Sequence, residues 1–344
     1  MFCGFRGENM KDIKRILPGA IISIALIIAL LYFVDFQTMW NSIKNANYTI
    51  LAGSVVLSFV WIFIRAKVWM TLLRDRPKYK EVLFAEGEGY LLNALLPFRL
   101  GELGRAFLLS RKSDLSFSEI LPTIVIERVV DLVISAAFLL IGLTYVTDAQ
   151  GSERIGYLIG GLMIFGLVMM YVLARNRQWA LDVFHKISAR WTPLQRFGGS
   201  FLESFLNGLS VITDGWLFLR FLFWMTLNWF VAMVAYYIIT LAFFPQAQFY
   251  WMFFVLGAAA FGGAVPALPG GVGTFEGAIS AALTLFTGDQ STSLAVALTA
   301  RLYNYLNSGV IGGIGLMREG QTLSGVYQQL MNLRNKEQTE ISES

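Results

Sequence analysis

Six stretches of this chain are apolar for long enough to cross a lipid bilayer as helices, and no other feature constrains its fold so strongly. A hydrocarbon core about 30 Å thick needs roughly 20 predominantly apolar residues. Such runs fall at Leu17–Val34, Tyr48–Leu73, Ser118–Val146, Ile155–Ala174, Phe218–Phe244 and Ser293–Met317. The first reads as a span rather than a cleaved signal peptide, because its apolar core is too long and no small-x-small site follows it. Only 15% of the 344 residues are charged and 56% belong to the AVILMFWYC set, against about 25% charged in a soluble domain. A soluble enzyme, a disordered chain and a disulfide scaffold are thereby excluded. Cys3 is the only cysteine and His185 the only histidine, so no internal disulfide, cysteine metal site or histidine cluster can form.

Two further apolar stretches are broken. Glu81–Leu96 meets Pro97-Phe98-Arg99, and Phe249–Val265 runs into Pro266-Ala267-Leu268-Pro269-Gly270-Gly271-Val272-Gly273. Each is followed by a short apolar piece, Leu103–Ser110 and Gly277–Phe286. Paired short segments of this kind read as re-entrant hairpins that dip into the bilayer and return.

Lys and Arg set the orientation. With both hairpins re-entrant, 20 of the 27 Lys and Arg residues fall on one side and only Lys44 and Arg154 on the other. The expected architecture is an all-α polytopic membrane protein with six full spans, two re-entrant hairpins, and both termini inside. Residues 1–15 form a cytoplasmic segment, 16–317 a single transmembrane domain and 318–344 a polar cytoplasmic tail. The formal net charge of +4 then faces anionic lipid, and nucleic acid is not expected as a partner. Within 175–215, Trp179, Phe184, Trp191 and Phe197 alternate with Arg177, Lys186, Arg190 and Arg196, which predicts amphipathic helices on the membrane surface. His185 is expected to be solvated there. Trp216, Trp224, Trp229 and Trp251 read as lipid-facing or interfacial.

The order of elements repeats with inverted orientation, over about 17–146 and 155–317. Leu96-Pro97 followed by Gly101-Glu102 is similar to Leu268-Pro269 followed by Gly273 and Glu276. Glu102 precedes Glu127 by 25 residues, and Glu276 precedes Arg301 by 25. Glu127-Arg128-x-x-Asp131 lies over Arg301-x-x-Asn304. Residues three apart share a helix face, so Arg128 points with Asp131 and Arg301 with Asn304. Inverted repeats place a site near the midplane between the halves.

Charges inside a membrane are costly, at least ~2.5–3.5 kcal/mol on insertion scales, so those that persist line a polar cavity or are paired. Arg99, Glu102 and Arg105 fall on the first hairpin, Glu127, Arg128 and Asp131 on the third span, Glu276 on the second hairpin and Arg301 on the last span. Arg65 and Lys67 approach a span end and are expected to snorkel. The guanidinium fork suits phosphate, and the hairpin glycines Gly270, Gly271 and Gly273 add backbone N–H groups at a helix start. Together with Asn93 and Asn304 these residues form the candidate substrate site, hinged at Pro97, Pro266 and Pro269. Each charge also has a plain structural reading as an ion pair, Arg128–Glu102 or Arg301–Glu276. Gly270-Gly271-Val272-Gly273 lacks the context of a nucleotide loop, and no Walker motif, metal site or cofactor motif is present.

Asn93-Ala94-Leu95-Leu96-Pro97-Phe98-Arg99-Leu100-Gly101-Glu102 with Glu127-Arg128-x-x-Asp131 resembles the transmembrane region of the lysylphosphatidylglycerol synthase family, also called the flippase-like domain family. So does Pro266-x-x-Pro269-Gly270-Gly271-Val272-Gly273-x-x-Glu276 with Arg301. The resemblance spans about residues 15 to 317. It implies movement of a lipid between leaflets. The short polar tail leaves no room for a synthase domain, so lysyl transfer is not expected. The leading expectation is a multi-pass flippase of the cell (inner) membrane for an anionic phospholipid or polyprenyl-phosphate lipid, without a cofactor. Two alternatives stay open: an intramembrane headgroup-modifying enzyme with Glu127 and Asp131 as acid and base, and a lipid-binding scaffold. Candidate protein partners are a second copy of the chain and a separate lipid-modifying enzyme.

Overall fold

The structure, a computed structural model, describes residues 28, 34–96, 100–146, 161, 165, 168–169, 171–173, 175–188, 202, 206, 214–265, 269–321 and 325. Among these the regular elements are all helices: α1 (Phe36–Asn45), α2 (Tyr48–Leu72), α3 (Tyr79–Leu95), α4 (Leu100–Ser110), α5 (Phe117–Val146), α6 (Arg177–Ser188), α7 (Gly215–Phe243), α8 (Trp251–Ala264), α9 (Thr274–Thr287) and α10 (Gln290–Arg318). A single 3₁₀ turn, Pro269–Gly271, lies between α8 and α9. Among the described residues three helices, α2, α5 and α7, are long and apolar enough to cross a membrane. The expected spans Leu17–Val34 and Ile155–Ala174 lie largely outside the described residues. So do most of the expected surface helices, of which α6 is the described part.

Helix ends follow local chemistry. Asn47, Asp214 and Asp289 cap α2, α7 and α10 by accepting a backbone N–H with a side-chain oxygen. α3 and α8 stop where a proline follows: Leu96 and Val265, the residues before Pro97 and Pro266, are extended, because the proline ring crowds a helical predecessor.

The two broken stretches form antiparallel helical hairpins. Asn93 Oδ1 accepts the Gly101 N–H at 2.8 Å, and Glu86 pairs with Arg105 further from the tip, so α3 and α4 run side by side in opposite senses. α8 and α9 do the same: a Cβ on Gly262 would lie 2.6 Å from the Thr274 oxygen, while Trp251 stacks on Phe286 at 5.3 Å.

The packing repeats in two halves. α2 lies antiparallel on α7, with Asn47 N–H donating to the Ala242 carbonyl at 3.0 Å and Asn228 Nδ2 donating to the Trp61 carbonyl at 3.2 Å. The first hairpin packs through α3 on α10, and the second through α8 on α5. Each hairpin thus leans on the long helix of the other half. Both swapped contacts are made at glycine. A Cβ on Gly87 would lie 2.8 Å from the Gly312 nitrogen, and one on Gly142 would lie 2.4 Å from the Phe254 nitrogen. Small residues let helix axes approach closely where lipid, not water, surrounds the bundle.

Unlike a water-soluble bundle, this one exposes apolar side chains and buries charged and polar ones within an apolar core. Leu298, Leu302, Leu306, Val310 and Ile314 are exposed along α10, while Ser54, Ser58, Arg65, Glu86, Glu127 and Asn307 are buried. An apolar patch of that extent facing water would drive association; facing acyl chains it costs nothing.

Candidate functional site

Between the hairpins lies a cavity of about 900 Å³, walled by α2, α3, α5, α7, α8 and α10. Of the residues singled out in the sequence, Asn93, Glu102, Arg128, Asp131, Gly270, Gly271, Arg301 and Asn304 line it. Arg105, Glu127, Gly273 and Glu276 are not on its wall; they stand behind the residues that are. Pro97, Arg99 and Pro266 lie outside the described residues, and Pro269 opens the 3₁₀ turn.

One side of the cavity is an ion network. Glu127 and Arg105 are 0% and 2% exposed. Arg105 Nη2 donates to Glu127 Oε1 at 3.2 Å, and its Nη1 donates to Glu86. Arg65 donates to Glu127 and holds Asp131 with both Nη groups, the Nη1–Oδ1 contact being 3.0 Å. Asp131 also accepts the Trp229 indole N–H at 3.2 Å. Arg128 lies 3.1 Å from Glu102 and 3.4 Å from Asp131, so the pairing and the shared helix face expected from sequence both form. Arg128 is the guanidinium that opens most to the cavity, with 27% of its side chain exposed against 3% for Arg65 and Arg105.

The sequence contributes here through glycine. Glu86-Gly87-Glu88-Gly89 puts a carboxylate beside each close helix contact. A Cβ on Gly89 would lie 2.8 Å from the Arg105 Cβ, so the bare backbone lets α4 bring Arg105 onto Glu86. Glu88, also 0% exposed, pairs with Lys112 at 2.9 Å, and Lys112 pairs in turn with Glu319.

The opposite side is the tip of the second hairpin. Arg301 Nε donates to Glu276 Oε1 at 2.6 Å and Nη2 to Glu276 Oε2 at 3.0 Å. Its remaining donors reach the Gly270 and Gly271 carbonyls, the latter at 3.0 Å. Glu276 accepts the Gly273 N–H at 2.9 Å. Phe275 lies under the guanidinium, 4.4 Å from its centre. The turn needs φ of +71° at Gly270 and +64° at Gly271, a region that glycine enters without steric cost. Gly270 also touches the first hairpin: a Cβ there would lie 3.2 Å from the Ala94 carbonyl oxygen. The two tips therefore meet at the cavity.

Two expectations are corrected. Arg65 does not snorkel; it is 2% exposed and sits at the centre of the network, because α7 packs over the face of α2 that carries it. Lys67, half-buried with Nζ 4.5 Å from the Tyr79 ring centre, does lie at the margin. Trp229 and Trp251 are not part of a lipid-facing belt: Trp229 binds Asp131 and Trp251 is buried in the core against Phe286. Glu86, Glu88, Tyr90 and Asn228 were not singled out from sequence. The signal available was the pair of glutamates inside an apolar stretch.

Among the described residues no group of His, Cys, Asp and Glu is arranged to hold a metal ion. The model of the lysylphosphatidylglycerol synthase TM region matches residues 17–312. Two UPF0104 membrane proteins of Methanocaldococcus jannaschii are similar. One is 28% identical over 225 residues, which is 65% of this chain and 92% of the relative. The other is 24% identical over 318 residues, 86% of this chain and 93% of the relative. A UPF0104 membrane protein of Methanothermobacter thermautotrophicus is 20% identical over 337 residues, 94% of this chain and 100% of the relative. No solved structure matches the chain. With a model matched over nearly its whole length, the chain belongs to the lysylphosphatidylglycerol synthase TM region family of membrane proteins.

Proposed function

We propose that this protein is a lipid flippase of the cell (inner) membrane, moving a phosphate-bearing headgroup between leaflets while the acyl or prenyl chains stay in the bilayer. The observation that carries the reading is the cavity of about 900 Å³ onto which Arg128 from one half and Arg301 from the other both open. A bare ion pair needs no such space; the volume lies in the range of sites that hold whole small molecules, roughly 300–1,000 Å³.

In this reading the two hairpins are re-entrant, six helices span the membrane, and the halves have inverted topology with both termini inside. The antiparallel packing of the equivalent helices α2 and α7 supports it, since a two-fold axis relating antiparallel helices runs across them rather than along them. The headgroup enters near Arg99 and Glu102. It exchanges one carboxylate contact of Arg128 for a phosphate contact, passes Asp131 and Asn304, and leaves toward Arg301. Glu127 and Glu276 hold the arginines from behind and keep them from trapping the anion. Rocking of the hairpins about Pro97, Pro266 and Pro269 supplies alternating access. Glu127 faces three arginines, Arg65, Arg105 and Arg128, rather than the cavity, which speaks against a general acid–base pair with Asp131 and hence against the enzyme alternative.

The test is reconstitution of the purified chain into vesicles with fluorescent phosphatidylglycerol or a short-chain prenyl phosphate, read by dithionite quenching or an outer-leaflet phosphatase. Lipid movement in the wild type that falls at least ten-fold in Arg128→Ala supports the proposal. No movement of either lipid, in vesicles where a known flippase works, overturns it.

A further inference from the structure

A second cavity, of about 480 Å³, lies at the other end of α2 from the basic turn 74–80. Its floor is one face of α1. Thr38, Asn41, Ser42 and Asn45 line it, at spacings of three and four that share a helix face. The opposing wall is Gln246, after α7, and Asp289 and Thr292 at the start of α10. The Ser42 and Thr292 hydroxyls meet at 2.8 Å and tie the walls together. α1 is exposed on two sides: Thr38, Asn41 and Asn45 face the open cleft and Phe36 and Trp40 are 54% and 55% exposed, while Met39 packs against the core.

The chemistry of the lining is specific. Among the described residues no Lys or Arg lines it, and nearby Lys44 lies over the outward Trp40 ring, 5.5 Å from its centre. An anion therefore finds no counter-charge. The single carboxylate, Asp289, spends both oxygens on Thr292, accepting its N–H at 2.9 Å and its hydroxyl at 2.6 Å, which leaves a poor cation site. What remains are the side-chain amides of Asn41, Asn45 and Gln246, all exposed to solvent in the cleft and so available to a ligand. Each amide offers donors and an acceptor together, the combination that matches neighbouring hydroxyls. Phe243 and Phe244 supply an apolar wall for the C–H face of a ring.

The geometry points to a binding site for a neutral vicinal diol, a sugar ring or polyol, in this cleft. The inference is independent of the transport reading, since none of its residues lines the central cavity. The shared chemistry could come from a free sugar or from one carried on a lipid, and the experiment separates the two.

Full-length protein in phosphatidylcholine nanodiscs is probed by saturation-transfer NMR with methyl glucoside, methyl galactoside, methyl mannoside and inorganic phosphate. A parallel sample holds glucosyldiacylglycerol in the nanodisc. The expected result is transfer to at least one glycoside, reduced at least five-fold in Asn41→Ala/Asn45→Ala and unchanged in Arg128→Ala. Transfer to the free glycoside assigns a soluble ligand, and transfer to the glycolipid headgroup alone assigns a membrane-carried one; both support the site. Circular dichroism and elution volume matching the wild type show that the double variant is folded, and Gln246→Ala, on the opposite wall, should weaken the signal independently. Absence of transfer in every sample, or transfer that persists in folded Asn41→Ala/Asn45→Ala, overturns the proposal.

Discussion

At the scale of the residue, the site is governed by which charges are buried together. Arg65, Arg105 and Arg128 meet Glu86, Glu102, Glu127 and Asp131 among the described residues. Removing one member of a buried ionic set leaves its partners uncompensated, at about 3–5 kcal/mol. Arg65→Ala should therefore lower the midpoint of thermal unfolding in detergent far more than Lys67→Ala, a half-buried residue of the same helix. A similar shift for the two would refute the central placement of Arg65. Trp229→Phe keeps the ring and removes the indole N–H to Asp131, so it should cost about 1–3 kcal/mol. Arg65 also shows where residue-level reading stops. Sequence measures how far a charge lies along a span, but α2 is apolar all round and has no stripe that separates inside from outside.

At the scale of the element, the hairpins depend on bare backbone where they cross the long helices. Gly87→Val and Gly312→Val push a side chain into backbone at the α3–α10 contact and should each destabilise by at least ~1–3 kcal/mol, the usual cost of overpacking. Gly53→Ala is the control. A Cβ there meets nothing within 4 Å, so it should be neutral or stabilise by up to ~1 kcal/mol through helix propensity. Chemical denaturation monitored by tryptophan fluorescence compares the three, and a harmless Gly312→Val would remove the close-approach argument. These elements were well read from sequence. The expected Tyr48–Leu73, Ser118–Val146, Phe218–Phe244 and Ser293–Met317 differ from α2, α5, α7 and α10 by no more than three residues at either end, because proline, caps and run length act locally. α1 was missed: it is only 10 residues long, half the length a spanning run requires.

At the scale of the whole molecule, the meeting of the hairpin tips is the feature that can move. With Gly270 against Ala94, a disulfide between Ala94→Cys and Gly270→Cys in a Cys3→Ser background should lock the tips, and the reduced double variant, which carries a strained cysteine at the φ of +71° of Gly270, is the reference for every rate. Under the flippase reading, oxidation should halt lipid movement in vesicles and reduction should restore it. Movement that continues at the same rate in the fully crosslinked protein would show that the tips need not part. The sequence by itself determined that the chain is a helical membrane protein, where α2, α5, α7 and α10 begin and end, that two broken apolar stretches fold as hairpins, and that Arg128 faces with Asp131. Each of these follows from residues within a few positions of one another, or from the length of an apolar run. Only the tertiary structure decided that each hairpin leans on the long helix of the other half. It alone brought Arg65, Glu86 and Trp229 to Glu127 and Asp131, and it alone set Arg128 and Arg301 on one cavity. Those contacts join residues 40 or more positions apart, and in a lipid-facing bundle their partners are chosen by small-residue packing and buried charge rather than by any pattern along the chain.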